Sequence, residues 1–360
     1  MGGRIVLFGA TGYTGELTAR ALVDRGARPL LAARSRERVE ALAGDLGLEA
    51  GIADVSRPGT VRDLVGRGDV LVTTVGPFVR WGAVAAEAAL DAGAHYLDST
   101  GEPAFIRRVF EEYGARAAAA GCLVLTAFGF DWVPGNLAGA LALEEAGPAA
   151  TRVTIMYRPR GTGVSGGTAA SMAGAVLAPS FAFRGGRLRA ERTGARVRAV
   201  EGSGRLGLSV GGSEHLTLPA LQPSLREVEV LVASGGRLVR GLPLATGALA
   251  ILTRVPPLRA AADAVARRRL PGSTGGPTPA ERAAGASTIV AEAHAPDGRR
   301  LARVVLDGPD GYTFTARMLA WGAQAVAEGR AEGSGALGPV RAFGLEALTA
   351  GAAEAGLRVR

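Results

Sequence analysis

The chain has 360 residues and a formal net charge of +8 at pH 7, and all 41 of its basic residues are arginine. Hydrophobic residues make up 48% and charged residues 21%, which is ordinary for globular proteins and excludes an intrinsically disordered chain. The chain contains no lysine, so mechanisms that need a lysine base, a lysine Schiff base or a Tyr-Lys catalytic dyad are excluded. This length predicts two or three domains.

Several classes of partner and site are also excluded. The arginines are scattered, and the one dense run, Arg267-Arg268-Arg269, has no aromatic neighbour, so we expect no nucleic-acid partner. The single cysteine, Cys122, excludes a disulfide scaffold and fits a reducing compartment. The three histidines are far apart in the sequence, so we expect no metal site.

Targeting and membrane signals are weak. The N-terminus carries no charged leader pattern, so we expect no signal peptide and a cytoplasmic protein. The uncharged residues 161–183 are rich in glycine, serine and threonine, and the apolar residues 241–253 are too short to span a bilayer. A peripheral membrane contact through residues 241–266 stays an alternative.

Strand and helix patterns alternate over the first 130 residues. Apolar runs predict strands at 4–9, 28–33, 69–75, 95–98 and 122–128. Helical patterns lie between them, at 13–25, 36–46, 82–92 and 103–120. This alternation predicts an α/β fold, a doubly wound parallel sheet of the Rossmann type.

The pattern changes after residue 130. Alternating segments predict strands at 152–157, 196–201 and 227–233, and a hairpin of 287–294 with 301–307. Helical patterns cover 243–269, a short stretch from about 279, 311–328 and 338–355. We therefore predict a Rossmann domain at 1–130, an α+β substrate domain with a mixed or antiparallel sheet at 131–330, and a C-terminal segment, 331–360, that returns to the first domain.

A glycine turn follows the first predicted strand, with the sequence Gly9-Ala10-Thr11-Gly12-Tyr13-Thr14-Gly15. In such turns the first glycine permits a tight bend and the second lets backbone N–H groups approach a pyrophosphate. The third lets the helix pack close to the strand. Because strand, turn, helix and second strand occur in this order, the turn predicts a dinucleotide site.

The residues after the second strand indicate which dinucleotide is bound. NAD-binding proteins place an acid there, whereas this chain has Arg34-Ser35-Arg36. An arginine can stack on adenine and pair with a 2′-phosphate, so we predict NADP(H). Asp54 is expected beside the adenine, and the Val75-Gly76-Pro77-Phe78 turn is expected beside the nicotinamide ribose.

The chain resembles the saccharopine dehydrogenase-like oxidoreductases, a family that includes the trans-acting enoyl reductases of actinobacterial lipid synthesis. The segments that carry the resemblance are 9–15, 33–34, 75–78, 95–102, 129–134, 165–168 and 311–313. The resemblance implies hydride transfer from NADPH to a C=C or C=N bond. It also implies an inserted second domain whose sheet covers the nicotinamide.

Such bonds need a proton source, and five residues in these segments can donate or relay a proton. The candidate catalytic residues are Tyr96, Asp98, Glu102, Asp131 and Thr168. A structural role is the alternative for each of them, since Asp98 and Asp131 can also cap turns or helices.

The substrate pocket is expected at the carboxyl ends of the Rossmann strands, beside the second domain. Its predicted walls are Phe78, Phe130, Trp132, Gly166 and Gly167. A mostly apolar pocket favours a hydrophobic small molecule or an acyl intermediate, and hence an enoyl-type C=C reductase. An imine reductase or secondary-amine dehydrogenase, and a non-catalytic NADP-binding sensor or scaffold, are the alternatives. A contact with an acyl carrier and a homodimer also stay open.

Overall fold

The computed structural model describes residues 3–161, 163–169, 171, 178–201, 204–234 and 275–360. The chain forms two compact units. The first comprises Met1–Gly101, Phe105–Val133 and Pro309–Leu357, and the second comprises Glu102–Ala104, Pro134–Gly308 and Arg358–Arg360. The predicted helical segment 243–269, and with it the membrane-contact segment 241–266, lies outside the described residues.

The first unit contains a seven-stranded sheet in which every pair of neighbours is parallel. Its strands are β1 Ile5–Phe8, β2 Leu30–Ala33, β3 Glu49–Ile52, β4 Val70–Thr73, β5 His95–Asp98, β6 Leu123–Leu125 and β15 Gly335–Ala336. They lie in the order β15-β6-β5-β4-β1-β2-β3. The central strands β1 and β4 are buried at every residue, because helices cover both faces of a parallel sheet. The predicted doubly wound parallel sheet is confirmed.

The helices whose bounds the structure gives follow the strands closely. In chain order they are α1 Tyr13–Asp24, α2 Arg36–Leu46, α3 Pro58–Arg62, α4 Phe78–Ala92, α5 Pro103–Arg108, α6 Gly114–Ala120, α7 Val133–Ala146, α8 Glu214–Leu221, α9 Pro279–Ala284, α10 Gly311–Ala327, α11 Pro339–Phe343 and α12 Leu345–Glu354. A π-helical turn, Val109–Tyr113, joins α5 to α6, and a 3₁₀ turn, Gly147–Ala149, follows α7. Within the described residues no helix is long and apolar enough to cross a membrane.

The chain returns to the first unit earlier than the predicted boundary at residue 330. Asp310 caps α10, and its carboxylate accepts hydrogen bonds from the N–H groups of Tyr312 at 2.9 Å and Thr313 at 3.2 Å. α10 then packs against α1 and the central strands, so its apolar face completes the core of this unit. The predicted last helix is divided into α11 and α12 at Gly344, whose φ of +76° favours glycine.

The second unit is built on a nine-stranded mixed sheet. Its strands are β7 Arg152–Arg160, β8 Phe181–Arg184, β9 Arg187–Ala190, β10 Val197–Ala199, β11 Leu206–Ser209, β12 Glu227–Ser234, β13 Ala286–His294, β14 Arg300–Pro309 and β16 Arg358–Val359. The main order is β10-β11-β12-β7-β13-β14-β16, and a β8-β9 hairpin pairs with β12. β12 runs parallel to β7, whereas β13 runs antiparallel to it, which confirms a mixed sheet.

α7 did not follow from the sequence pattern. All its residues up to Ala140 are buried, so the helix has no polar face and no amphipathic stripe. Its first residue, Val133, belongs to the first unit and the rest to the second. Gly139 meets the side chains of Leu218 and Ile155, which places this helix against α8 and one face of the mixed sheet.

Candidate functional site

The glycine turn lies between β1 and α1 and uses its glycines in different ways. Gly9 has a φ of +91°, and its N–H donates to the carbonyl of Ala32 on β2 at 2.8 Å. A Cβ at Gly15 would lie 2.1 Å from the carbonyl oxygen of Gly9, so only glycine lets α1 pack against the turn. Gly9 and Gly15 are therefore required by the fold itself.

Gly12 is different, because the protein leaves space around it. It precedes α1 in an extended conformation, and a Cβ there would meet only the Gly9 oxygen, at 3.2 Å. The first intrahelical hydrogen bond runs from the N–H of Glu16 to the Gly12 carbonyl at 2.8 Å. The N–H groups of Thr14 and Gly15 thus have no acceptor within the helix, as expected for a helix N-terminus that binds phosphate.

Arg34 follows β2 directly, is exposed, and has no hydrogen-bond or ion-pair partner among the described residues. Its neighbours are already engaged. The Ser35 hydroxyl caps α2 by accepting from the N–H of Arg38, and Arg36 pairs with Glu40 at 2.9 Å. Of the three predicted phosphate ligands, Arg34 is the one whose side chain is uncommitted.

Asp54 lies at the carboxyl end of β3, close enough to Arg34 for the two charges to interact. Its carboxylate accepts from the N–H and the hydroxyl of Ser56, both at 2.8 Å. These hydrogen bonds, and secondarily Arg34 and Arg57, lower the pKa of Asp54 below its usual value. Asp54 stays ionised at neutral pH and sits beside the predicted adenine-binding residues.

Arg38 was not predicted as a site residue. Its guanidinium donates to the carbonyl of Thr11 at 2.7 Å, so it ties α2 to the glycine turn. Three arginines in five residues, Arg34, Arg36 and Arg38, were visible in the sequence. The sequence could not indicate that the third one reaches a main-chain oxygen 27 residues earlier.

The segment after β4 also reaches the turn. The hydroxyl of Thr74 donates to the Gly9 carbonyl at 3.2 Å, and the Gly76–Pro77 peptide bond is cis. The ring of Phe78 is 5% exposed and packs against Phe105 with centroids 5.8 Å apart. This ring belongs to the core of the first unit, and its predicted role in lining a pocket stays a prediction.

Asp98 joins the ends of β5 and β6. It is fully buried, and its carboxylate accepts from the N–H groups of Thr100 at 2.9 Å and Ala127 at 2.8 Å and from the Thr126 hydroxyl at 2.8 Å. Burial raises the pKa of Asp98 to about 6. Burial, and then the nearby Asp98 charge, raise the pKa of Tyr96 well above its usual value. Both groups are held in the interior, where Asp98 fixes the strand ends.

Asp131 lies in the loop between β6 and α7, in a different setting. Its residue is only partly buried, and its carboxylate lies against Gly101, where a Cβ would come within 2.6 Å of Oδ2. No described residue hydrogen-bonds to this carboxylate, and burial raises its pKa to about 6. The structure thus brings the 98–102 and 129–134 segments together at this carboxyl group.

Aromatic side chains surround the start of α10 in the same unit. The rings of Tyr13 and Tyr312 meet edge to face with centroids 5.0 Å apart, and the N–H of Phe130 donates to the Thr315 hydroxyl at 2.9 Å. Tyr312, which lies in the family-like segment 311–313, thus contacts a residue of the glycine turn. Trp132 is 5% exposed, and its main-chain N–H donates to the Ala127 carbonyl at 3.0 Å, so this residue packs inside the protein.

The remaining predicted residues belong to the second unit. Glu102 is 3% exposed, and its carboxylate accepts from the Ser171 hydroxyl at 2.7 Å. Gly166 and Gly167 begin a helical stretch, and the N–H of Thr168 donates to the Ser165 hydroxyl at 3.2 Å. The described residues contain no group of three His, Cys, Asp or Glu side chains that could hold a metal ion.

One known family matches the N-terminal part of the chain. Residues 5–125 match the family described as the saccharopine dehydrogenase NADP binding domain. The match covers the glycine turn, Arg34 and all the strands from β1 to β6. The uncommitted Arg34 and the open N-terminus of α1 fit the 2′-phosphate and the pyrophosphate of that cofactor.

Two mycobacterial proteins are similar in sequence. One from Mycobacterium tuberculosis, provisionally named a trans-acting enoyl reductase, is 42% identical over 179 residues, which are 47% of this chain and 43% of that protein. The trans-acting enoyl reductase of Mycobacterium leprae is 42% identical over 140 residues, 37% of this chain and 34% of that protein. The matched residues cover less than half the length of each of these relatives.

Two solved structures share the fold. Saccharopine dehydrogenase (L-Glu forming) from Saccharomyces cerevisiae superposes with a TM-score of 0.63 at 12% identity, covering 100% of this chain and 99% of that one. Amine dehydrogenase from Mycobacterium smegmatis gives a TM-score of 0.50 at 11% identity, covering 96% and 95%. At these identities the likeness describes the fold alone.

Proposed function

We propose that this chain, whose residues 5–125 belong to the saccharopine dehydrogenase NADP-binding domain family, is an NADPH-dependent reductase of C=C bonds. The observation that carries the proposal is the 42% identity to proteins named trans-acting enoyl reductases, which goes with an NADP-binding domain. The substrate class is an α,β-unsaturated, hydrophobic acyl intermediate. An acyl carrier or another protein presents it, in keeping with the trans-acting name of the relatives.

The cofactor supplies a hydride, and the chain holds the cofactor. Arg34 pairs with the 2′-phosphate, and its position at the end of β2 beside Asp54 supports this role. The N–H groups at the start of α1 bind the pyrophosphate across Gly12. Arg38 keeps α2 against the glycine turn through Thr11, so the two phosphate-binding segments stay in register.

Asp131 is the proposed proton source. Reduction of an enoyl group adds a hydride to the β-carbon and a proton to the α-carbon, so the site needs an acid that substrate can reach. The Asp98 oxygens accept three hydrogen bonds, Glu102 accepts from Ser171, and Tyr96 is fully buried. Asp131 is partly exposed and has no hydrogen-bond partner among the described residues. Its pKa is raised to about 6.

The C=C reductase is favoured over an imine reductase by the strength of the two likenesses. The enoyl reductase relatives match in sequence at 42% identity, whereas the amine and saccharopine dehydrogenases match in fold at 11–12%. A saccharopine-type substrate also carries several charges. Of the candidate catalytic and pocket residues, none is an arginine that could bind a substrate carboxylate.

The test is turnover of NADPH by the purified chain with two probes, crotonyl-pantetheine and 1-pyrroline. We expect oxidation of NADPH with the thioester and none with the imine. Asp131→Asn should abolish this turnover but keep NADPH binding. Asp63→Asn, which changes an exposed acid, should alter neither turnover nor NADPH binding. Turnover of the imine alone would identify an imine reductase, and NADPH binding without turnover of either probe would favour a sensor or scaffold.

A further inference from the structure

One face of the mixed sheet in the second unit carries a groove with a volume of about 220 Å³. Alternate residues of β7 and β13 line it, because successive side chains of a strand point to opposite faces. Met156, Val290 and Leu231 are adjacent across the three central strands and form an apolar floor. Val200 covers one side of this floor.

Two arginines that line the groove have no hydrogen-bond or ion-pair partner among the described residues. Arg152 and Arg158 lie on the same face of β7, both partly buried, and the Nε atom of each is buried with no acceptor. Neither guanidinium forms an ion pair with a described residue. Buried arginines are normally paired, because an unpaired buried cation loses its hydration without compensation.

A buried imidazole nitrogen lies beside Arg152. His294 is its direct partner across the β7–β13 ladder, and the Nδ1 atom of His294 is buried without a hydrogen-bond partner. Burial, and then the Arg152 charge, lower the pKa of His294, so at neutral pH its ring is uncharged. The Arg152 end of the groove therefore presents a guanidinium with no ion pair among the described residues, beside a neutral imidazole whose Nε2 lies 3.9 Å from the Glu292 carboxylate.

Two acidic residues line the groove, and neither forms an ion pair with Arg152 or Arg158 within the described residues. Glu292 pairs with Arg300 at 2.8 Å and with Arg303 at 3.2 Å. Arg198, the third arginine of the lining, pairs with Glu229 at 2.7 Å. Glu201 lies at the rim, exposed, and forms no ion pair with Arg152 or Arg158 within the described residues.

The residues outside the described ranges contain few negative charges. Asp263 is the one acid outside the described residues, and residues 235–274, which contain it, also contain seven arginines. At most one of the two arginines can therefore be neutralised by a carboxylate of the chain itself. Any further counter-charge has to come from solvent ions or from a ligand.

We propose that this groove binds an amphiphilic organic anion, with its carboxylate or phosphate head on Arg152 and His294 and its alkyl chain on Met156, Val290 and Leu231. A guanidinium with an imidazole N–H beside it suits an oxyanion head, and the apolar floor next to them suits a chain. Because the lining belongs wholly to the second unit, the site is independent of the proposed hydride transfer.

The test is calorimetric titration of the full chain with four probes: decanoate, decyl phosphate, decanol and inorganic phosphate. Binding of both decyl anions, with decanol and inorganic phosphate at least tenfold weaker, is expected. Equal binding of decanol would show that the arginines do not recognise the head. If neither decanoate nor decyl phosphate binds, the proposed site is wrong.

Variants locate the head within the groove. Arg152→Gln should weaken decanoate at least tenfold, and Arg158→Gln should weaken it less, because Arg158 lies six residues further along β7. Arg299→Gln, which removes the same charge from an exposed turn, should leave binding unchanged. A larger loss for Arg158→Gln would overturn the placement of the head. If the chain instead dimerises in ultracentrifugation and Arg152→Glu dissociates it, a second copy occupies the face and the proposal is wrong.

Discussion

Two of the three glycines of the turn, Gly12 and Gly15, allow cofactor binding and folding to be tested separately by matched substitutions. In Gly12→Ala the new methyl meets only the Gly9 oxygen, at 3.2 Å, and the extended backbone there accepts any residue. Alanine is a poorer helix N-cap than glycine, so we expect a loss of about 1 kcal/mol or less in the free energy of unfolding. The methyl points to where the pyrophosphate is expected, so NADPH affinity should fall at least tenfold, which is about 1.4 kcal/mol.

Gly15→Ala is the control. Its methyl would lie 2.1 Å from the Gly9 oxygen and 3.0 Å from the Ala10 Cα, and both atoms are main chain. α1 must move to relieve this contact, so the unfolding free energy should fall by about 1–3 kcal/mol or more, as for overpacked cores. Urea denaturation gives the stabilities, and fluorescence titration gives the NADPH dissociation constants. If Gly12→Ala binds NADPH as tightly as the unchanged chain, the phosphate site has been misplaced.

Three further predictions concern the cofactor and the loop after β6. Arg34→Gln should weaken NADPH binding by about 1–3 kcal/mol and leave NADH binding unchanged. Arg36→Gln should have a smaller effect, because Arg36 already pairs with Glu40. Equal losses of NADPH and NADH binding in Arg34→Gln would contradict this assignment. If protonated Asp131 is the acid, kcat should fall as the pH rises through about 6, since its raised pKa keeps the proton on below that value; a profile that is flat from pH 5 to 8 would exclude it. Thr315→Val removes the acceptor of the Phe130 N–H and should destabilise the fold by about 1–3 kcal/mol in urea, whereas Thr315→Ser should not; equal stability of the two variants would show that this hydrogen bond contributes little.

The first unit could be predicted well because its signals are local. Helix α2 is found at the predicted residues, with Ser35 as its cap and Gly47 in the left-handed conformation at its end. Strand β5 also has the predicted bounds, and β1 and β4 lie within their predicted apolar runs. The parallel direction of the strands then follows from the alternation of strands and helices.

The second unit was harder because its strands are short and its pairings are long-range. The hairpin of β8 and β9 lies in an arginine-rich segment in which charged side chains obscure the alternation. β12 pairs with β7, about 75 residues earlier in the sequence, through the direct partners Glu227 and Arg152, and nothing local encodes that pairing. α7 shows no helical stripe, because all its residues up to Ala140 are buried.

For the site, the sequence identified residue types but not their surroundings. Asp98 and Asp131 are both acids in loops at strand ends, and the pKa of each is raised to about 6. Only the structure distinguishes the carboxylate that accepts three hydrogen bonds from the one that accepts none among the described residues. Tyr312 comes to the glycine turn through the packing of α10 on α1, about 300 residues apart in sequence.

The most direct test of the proposed reaction follows the hydride itself. The purified chain is incubated with crotonyl-pantetheine and NADPH that carries deuterium at C4 of the nicotinamide, in ordinary water, and the product is analysed by mass spectrometry and NMR. Our account predicts butyryl-pantetheine with one deuterium on the β-carbon and a solvent proton on the α-carbon. With both C4 positions of the nicotinamide deuterated, a product without deuterium, or no reduction of the thioester while NADPH is bound, would contradict it.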